Sequence, residues 1–154
     1  MNLNVPHNDT NALSIILVDD DPEDRDFFEE VLKKINHGKG LRSFSSGMLL
    51  LDYLNTTENL PEMLFLDLIM PAMDGQECLA KIRSEPRFDK IPIIIYSTAI
   101  DMTIIDRLFK IGANRYLRKP YTFQGLEKAL RRTISSIQKN PRGGNAISNV
   151  SYGE

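Results

Sequence analysis

A set of carboxylates, one hydroxyl and one ammonium stand at the ends of four apolar runs in this chain. Asp19, Asp20 and Asp21 end Ile15-Ile16-Leu17-Val18, Asp67 ends Met63-Leu64-Phe65-Leu66, Ser97 ends Ile93-Ile94-Ile95-Tyr96, and Lys119-Pro120 follows Tyr116-Leu117. Adjacent carboxylates repel one another, and a cation best relieves that repulsion. Hard oxygen donors with an otherwise hydrated coordination sphere suit Mg²⁺. A further carboxylate can act as a nucleophile toward a phosphoryl group. An ammonium and a hydroxyl can neutralise the charge that spreads over the phosphoryl oxygens.

These groups meet only if the chain folds so that all four runs end on one side. Short apolar runs alternating with helical patterns predict parallel strands of an α/β sheet. Ligands of such sheets gather outside the carboxyl ends of the strands, where the strand order reverses. Five strand–helix units are legible. Asp21 predicts an N-cap, with Pro22 at the first helical position and Glu23 and Asp24 in the first turn. Phe27, Phe28, Val31, Leu32 and Ile35 follow helical spacing behind it. Leu41–Phe44 pairs with a helix from about Gly47 to Leu54. The strand ending at Asp67 loops through Pro71 and Gly75 into a helix that ends near Ser84. The fourth helix carries Ile104, Ile105, Leu108 and Phe109, and the fifth has one face of Leu126, Leu130, Ile134 and Ile137. Repeated βα units predict right-handed crossovers and a doubly wound sheet with helices on both faces.

The bulk properties restrict the function classes. A chain of 154 residues with net charge −2 fits one domain and offers no basic footprint for nucleic acid. Cys78 is the one cysteine, which excludes an intramolecular disulfide, and its helical setting reads as packing. His7 and His37 lack a second ligand at metal spacing. No run reaches the roughly 20 apolar residues of a membrane span, and the polar start is no signal peptide. A cytoplasmic protein is expected, without nucleic-acid or membrane partners. Residues 1–13 are expected to be a flexible arm, 14–138 the folded domain, and 139–154 a flexible tail too short for an output domain.

Taken together, Val18-Asp19-Asp20, the segment from Asp67 to Gly75, Ser97 and Lys119-Pro120 resemble the receiver domains of two-component response regulators. The likeness spans about residues 14–138, with 47 residues from Asp20 to Asp67, 30 from Asp67 to Ser97 and 22 from Ser97 to Lys119. It implies a five-stranded parallel sheet in the flavodoxin-like order 2-1-3-4-5. It implies that a sensor histidine kinase or phosphotransfer protein phosphorylates Asp67. Asp20, Asp67, Asp19 and the backbone carbonyl of Ile69 would bind Mg²⁺. Lys119 would pair with Asp67 and then with the phosphoryl oxygens, Ser97 would swing in as the switch hydroxyl, and Tyr116 would turn inward behind it. The Lys119–Pro120 bond would be cis. The usual signalling surface is the face of the fourth helix, fifth strand and fifth helix, open to a second copy or a target protein. Here that face would include Arg107, Lys110, Arg115, Arg118, Lys128, Arg131 and Arg132, which read equally well as solvated surface charge.

Two positions keep alternatives. Thr98 is the rival switch hydroxyl, on the opposite strand face from Ser97. Tyr116, apart from the resemblance, reads rather as a packed aromatic on a short strand. Among functions, the expected one is a single-domain, non-enzymatic regulator. One rival is an aspartyl-phosphate phosphohydrolase, but Ile69 stands where such enzymes place a second Asp. A flavin-binding module would need a Ser/Thr/Gly-rich loop where this chain has three acids. A receiver-like adaptor that is never phosphorylated would be expected to lack pocket residues, and none is missing.

Overall fold

The computed structural model describes residues 13–36, 40–141 and 146–148. His7, His37 and all but Leu13 of the expected N-terminal arm lie outside the described residues. Each apolar run forms the strand expected of it: β1 Ile15–Val18, β2 Leu41–Phe44, β3 Met63–Asp67, β4 Ile93–Ser97 and β5 Arg115–Arg118. Between and after them run α1 Pro22–Asn36, α2 Gly47–Thr56, α3 Gly75–Arg83, α4 Met102–Ile111 and α5 Phe123–Lys139. A single 3₁₀ turn at Pro86–Phe88 leads into β4.

All strand pairs are parallel, and β1 to β5 stand in the order 2-1-3-4-5. Side-chain alternation splits the core into two layers. Ile16, Val18, Leu64, Leu66, Ile93 and Ile95 pack against Leu50 and Leu54 of α2, Leu79 and Ile82 of α3, and Ile105 and Leu108 of α4. Ile15, Leu17, Phe65, Ile94 and Leu117 face Phe28, Val31 and Leu32 of α1 and Leu126 and Leu130 of α5. The sheet is therefore buried on both sides, which explains why its central strands read as unbroken apolar runs.

The structure departs from the sequence reading in three places. First, Ala146–Ser148 forms a sixth strand, β6, parallel to β5, within the segment expected to be a flexible tail. An outer β5 would present a row of unpaired N–H and C=O groups, and β6 covers them. A three-residue strand with one β-branched residue is too short for periodicity to reveal. Second, no peptide bond among the described residues is cis, so Lys119–Pro120 is trans, the ordinary preference of the peptide bond. Third, Arg115 is 3 % exposed and does not belong to a basic surface. Its guanidinium donates to Ser136 Oγ, to the carbonyl of Asn114 and, at 2.8 Å, to that of Asn140. It thus satisfies backbone carbonyls at the end of α5, where a cation is favoured.

Candidate functional site

The order reverses between β1 and β3, and both strands end in carboxylates. Asp19 directly follows β1 and is fully buried. Its Oδ1 accepts from the backbone N–H of Asp21 at 3.0 Å, and its carbonyl accepts from Arg25 Nη1 at 2.7 Å. The β1–α1 corner is thereby fixed, and Asp21 caps α1 by accepting from Glu23 N at 2.9 Å. Asp20, between them, is exposed.

Asp67 ends β3 and is 5 % exposed. Its approach to the pocket depends on Gly75. A Cβ there would stand 2.3 Å from the Asp67 carbonyl oxygen and 2.7 Å from Leu68 Cα, so only glycine lets α3 begin this close to the strand end. The Gly75 N–H donates to the Leu68 carbonyl at 2.8 Å, and Asp74 caps α3 by accepting from Glu77 N at 2.9 Å. Asp74-Gly75 is thus the start of a helix whose N-terminus is pinned to the end of β3.

One ligand oxygen from each of Asp19, Asp20 and Asp67 lies within 4.8 Å of the others. This is a set of hard oxygen donors with one exposed member, which fits a partly hydrated Mg²⁺. Lys119 completes the cluster. Its Nζ lies 2.8 Å from Asp19 Oδ2, 3.0 Å from Asp24 Oδ2 and 3.3 Å from Asp67 Oδ2. The Lys119 N–H donates to the Ser97 carbonyl at 2.8 Å, which ties the ends of β4 and β5 together. The ammonium reaches the pocket across a trans Lys119–Pro120 bond.

Burial drives the Asp67 carboxyl up to about 7; the Lys119 charge opposes this and the Asp19 charge adds to it. Burial also works against the charged Lys119. The hydrogen bond to Asp19, the charges of Asp67 and Asp19, and the bond to Asp24 outweigh it and hold that ammonium above its ordinary range.

Ser97 is 1 % exposed and its Oγ accepts from Ala99 N at 3.2 Å, whereas Thr98 is exposed. The buried hydroxyl at the strand end is therefore that of Ser97. Tyr116 is 1 % exposed and donates its hydroxyl to the Ala99 carbonyl. The Ile69 N–H donates to Asp67 Oδ1 at 3.3 Å while its side chain is 65 % exposed.

The chain matches the family described as the response regulator receiver domain over residues 15–131. It belongs to that family. Among curated relatives, a chemotaxis protein CheY homologue of Campylobacter jejuni is 30 % identical over 118 residues, covering 77 % of this chain and 89 % of that protein. A probable methanogenesis regulatory protein, FilR2 of Methanothrix harundinacea, is 29 % identical over 129 residues, covering 81 % of each. Among solved structures, the phosphorylated cyanobacterial phytochrome response regulator RcpA matches with a TM-score of 0.73 and 26 % identity, covering 85 % of this chain and 96 % of that one. The receiver domain is thus like those of CheY-type regulators, which work with histidine kinases or phosphotransfer proteins.

Three features of the receiver site were not legible in the sequence. Asp24 reads as a helix-dipole acid, yet it also binds Lys119. Arg25, which nothing in the sequence singles out, bonds the Asp19 carbonyl. Tyr96 reads as strand apolar content, yet its ring lies 5.1 Å from Lys119 Nζ and packs edge-on against Phe28 and Phe65. For Asp24 the available signal was its place in the first turn of the helix that follows the acid run. No helix among the described residues is long and apolar enough to cross a membrane.

Proposed function

We propose that the receiver domain of this chain accepts a phosphoryl group on Asp67 from a histidine kinase or phosphotransfer protein. On this reading residues 14–138 are the working unit and the protein signals by altered protein–protein contacts rather than by catalysis of its own. The observation that carries the reading is the placement of buried Asp67 within 3.3 Å of Lys119, beside two further carboxylates and the Ser97 strand end. The relative captured in a phosphorylated state, RcpA, supports it.

In the proposed transfer an Asp67 carboxylate oxygen attacks phosphorus. The bond from phosphorus to the donor histidine nitrogen breaks, and that nitrogen keeps the electron pair. Asp67 must be ionised to attack, and Lys119 favours the ionised form. Asp19, Asp20, Asp67 and the Ile69 carbonyl would hold Mg²⁺, whose contribution is neutralisation of charge on the phosphoryl oxygens. After transfer, Lys119 pairs with those oxygens, and Ser97 gives up its contact with Ala99 N to donate to one of them. The added charge and acceptors are enough to shift the loop after β4. The α4–β5–α5 face, with exposed Arg107, Lys110, Lys128 and Arg132, is the surface proposed to change partners.

The test is incubation with acetyl phosphate and Mg²⁺ followed by intact-mass spectrometry. One added phosphoryl group in the wild type and none in Asp67→Ala is the expected result. Equal phosphorylation of the variant overturns the assignment. An unphosphorylated wild type would favour the adaptor reading.

A further inference from the structure

Asp24 is a carboxylate of the pocket that the metal-binding set does not include. Lys119 Nζ has three N–H donors, and three carboxylates lie within reach of it: Asp19 at 2.8 Å, Asp24 at 3.0 Å and Asp67 at 3.3 Å. The nearer two are not the phosphoacceptor. Asp24 sits in the first turn of α1 with its side chain 41 % exposed, whereas the Asp19 side chain is fully buried and that of Asp67 is 8 % exposed. The carboxylates close enough to share a cation are those of Asp19, Asp20 and Asp67. Asp24 therefore competes for the ammonium without belonging to the metal set.

We propose that Asp24 is a positioning residue that draws the Lys119 ammonium toward α1 and so restrains phosphoryl transfer to Asp67 from strongly anionic donors. The proposal rests on the reading of Asp67 as the phosphoacceptor. Two physical effects combine. The Asp24 carboxylate occupies one of the three donors that Asp67 and the incoming phosphoryl oxygens would otherwise recruit. Its negative charge, at the exposed side of the pocket, also repels an approaching dianion. Asp24 is partly open to solvent, so the effect is moderate and screened by salt. Asp24 keeps a stabilising place at the helix N-terminus throughout.

The experiment compares the full chain as wild type, Asp24→Asn and Asp24→Glu at saturating Mg²⁺. Phosphorylation rates are measured with acetyl phosphate, a dianion, and with phosphoramidate, which carries less negative charge. Asp24→Asn keeps the shape and removes the charge. It should raise the rate with acetyl phosphate about fivefold. The gain with phosphoramidate should be smaller, and both should shrink at high salt. Asp24→Glu should stay within about twofold of wild type. A separate readout is proton exchange at the Lys119 ammonium, followed by ¹⁵N NMR, which should be faster in Asp24→Asn. An Asp24→Asn variant as slow as wild type, or one accelerated equally with both donors, overturns the proposal. So does an Asp24→Glu variant as fast as Asp24→Asn. If the wild type accepts no phosphoryl group from either donor, the phosphoacceptor reading of Asp67 falls first, and this proposal falls with it.

Discussion

Tyr116 donates its hydroxyl to the backbone carbonyl of Ala99, so the buried aromatic of β5 is bound to the loop that follows the Ser97 strand end. Ser97 Oγ accepts from the N–H of the same residue. Ala99 thus holds both side chains expected to act in switching, one through each of its backbone groups. Whatever pulls Ser97 inward must act on the residue whose carbonyl Tyr116 holds.

Tyr116→Phe keeps the ring and removes the hydroxyl, which leaves the Ala99 carbonyl without that donor. A loss of about 1–2 kcal/mol is expected for one buried hydrogen bond. Urea denaturation should show a lower midpoint with an unchanged slope. A midpoint equal to that of wild type would mean the bond carries no net stability.

The pH dependence of the metal-free protein tests the burial of Asp67. Its carboxyl is raised from the ordinary 3.8 to about 7, chiefly by burial. Between those values the folded protein holds a proton that the unfolded chain has lost. This contribution to stability is complete below about pH 4 and disappears as the pH rises through about 7. In chelator, thermal stability should therefore contain a component that falls over that window. Asp67→Asn, which cannot ionise, should lack this component and be the more stable protein at pH 8. A wild type whose profile matches that of Asp67→Asn would show that the buried charge costs nothing.

Asp20 is the exposed member of the acid cluster, so its carboxylate can be removed without opening the core. Asp20→Ala should be at least as stable as wild type without metal, because repulsion is relieved. Its Mg²⁺ affinity should fall by at least about tenfold, the loss seen even for groups that only support a ligand. Calorimetric titration with Mg²⁺ measures this. A variant clearly less stable than wild type in chelator would contradict the account of repulsion.

The lifetime of the phosphorylated state should be set by water. Ile69 and Ala99, each two residues beyond a pocket residue, cannot hydrogen-bond a water through their side chains, and Ile69 is largely exposed. Slow loss of phosphate is expected. An Ile69→Asn, Ala99→Glu double variant should lose it faster with Mg²⁺ present, since a held water is already positioned for attack. Equal decay in the two proteins would remove side-chain control of water as the cause.

The chain's own C-terminal segment covers the edge of β5. Ending the chain after Pro141 keeps the Asn140 carbonyl that Arg115 binds but removes β6. Backbone amides of Arg115–Arg118 should then exchange faster, while global stability changes little, because only three residues of pairing are lost. A large fall in melting temperature would show that this segment contributes to the core.

The central strands, the five main helices and the polar residues at the strand ends were legible in the sequence because each rests on local information. A strand buried on both faces must be apolar along its length, so Ile15–Val18, Met63–Leu66 and Ile93–Ile95 declare themselves. A polar residue that ends such a run is conspicuous, which is how Asp67 and Ser97 could be singled out. Distances between side chains far apart in sequence carry no local trace. That Lys119 divides itself among Asp19, Asp24 and Asp67 is decided by how α1 and the end of β5 meet. The burial of Arg115 depends on where α5 ends, and the presence of β6 depends on a free strand edge reached across the whole of α5. The sequence determined which groups could do chemistry at the strand ends. Packing alone decided which of them touch, because charge, unlike hydrophobic periodicity, finds its partner only after the chain has closed.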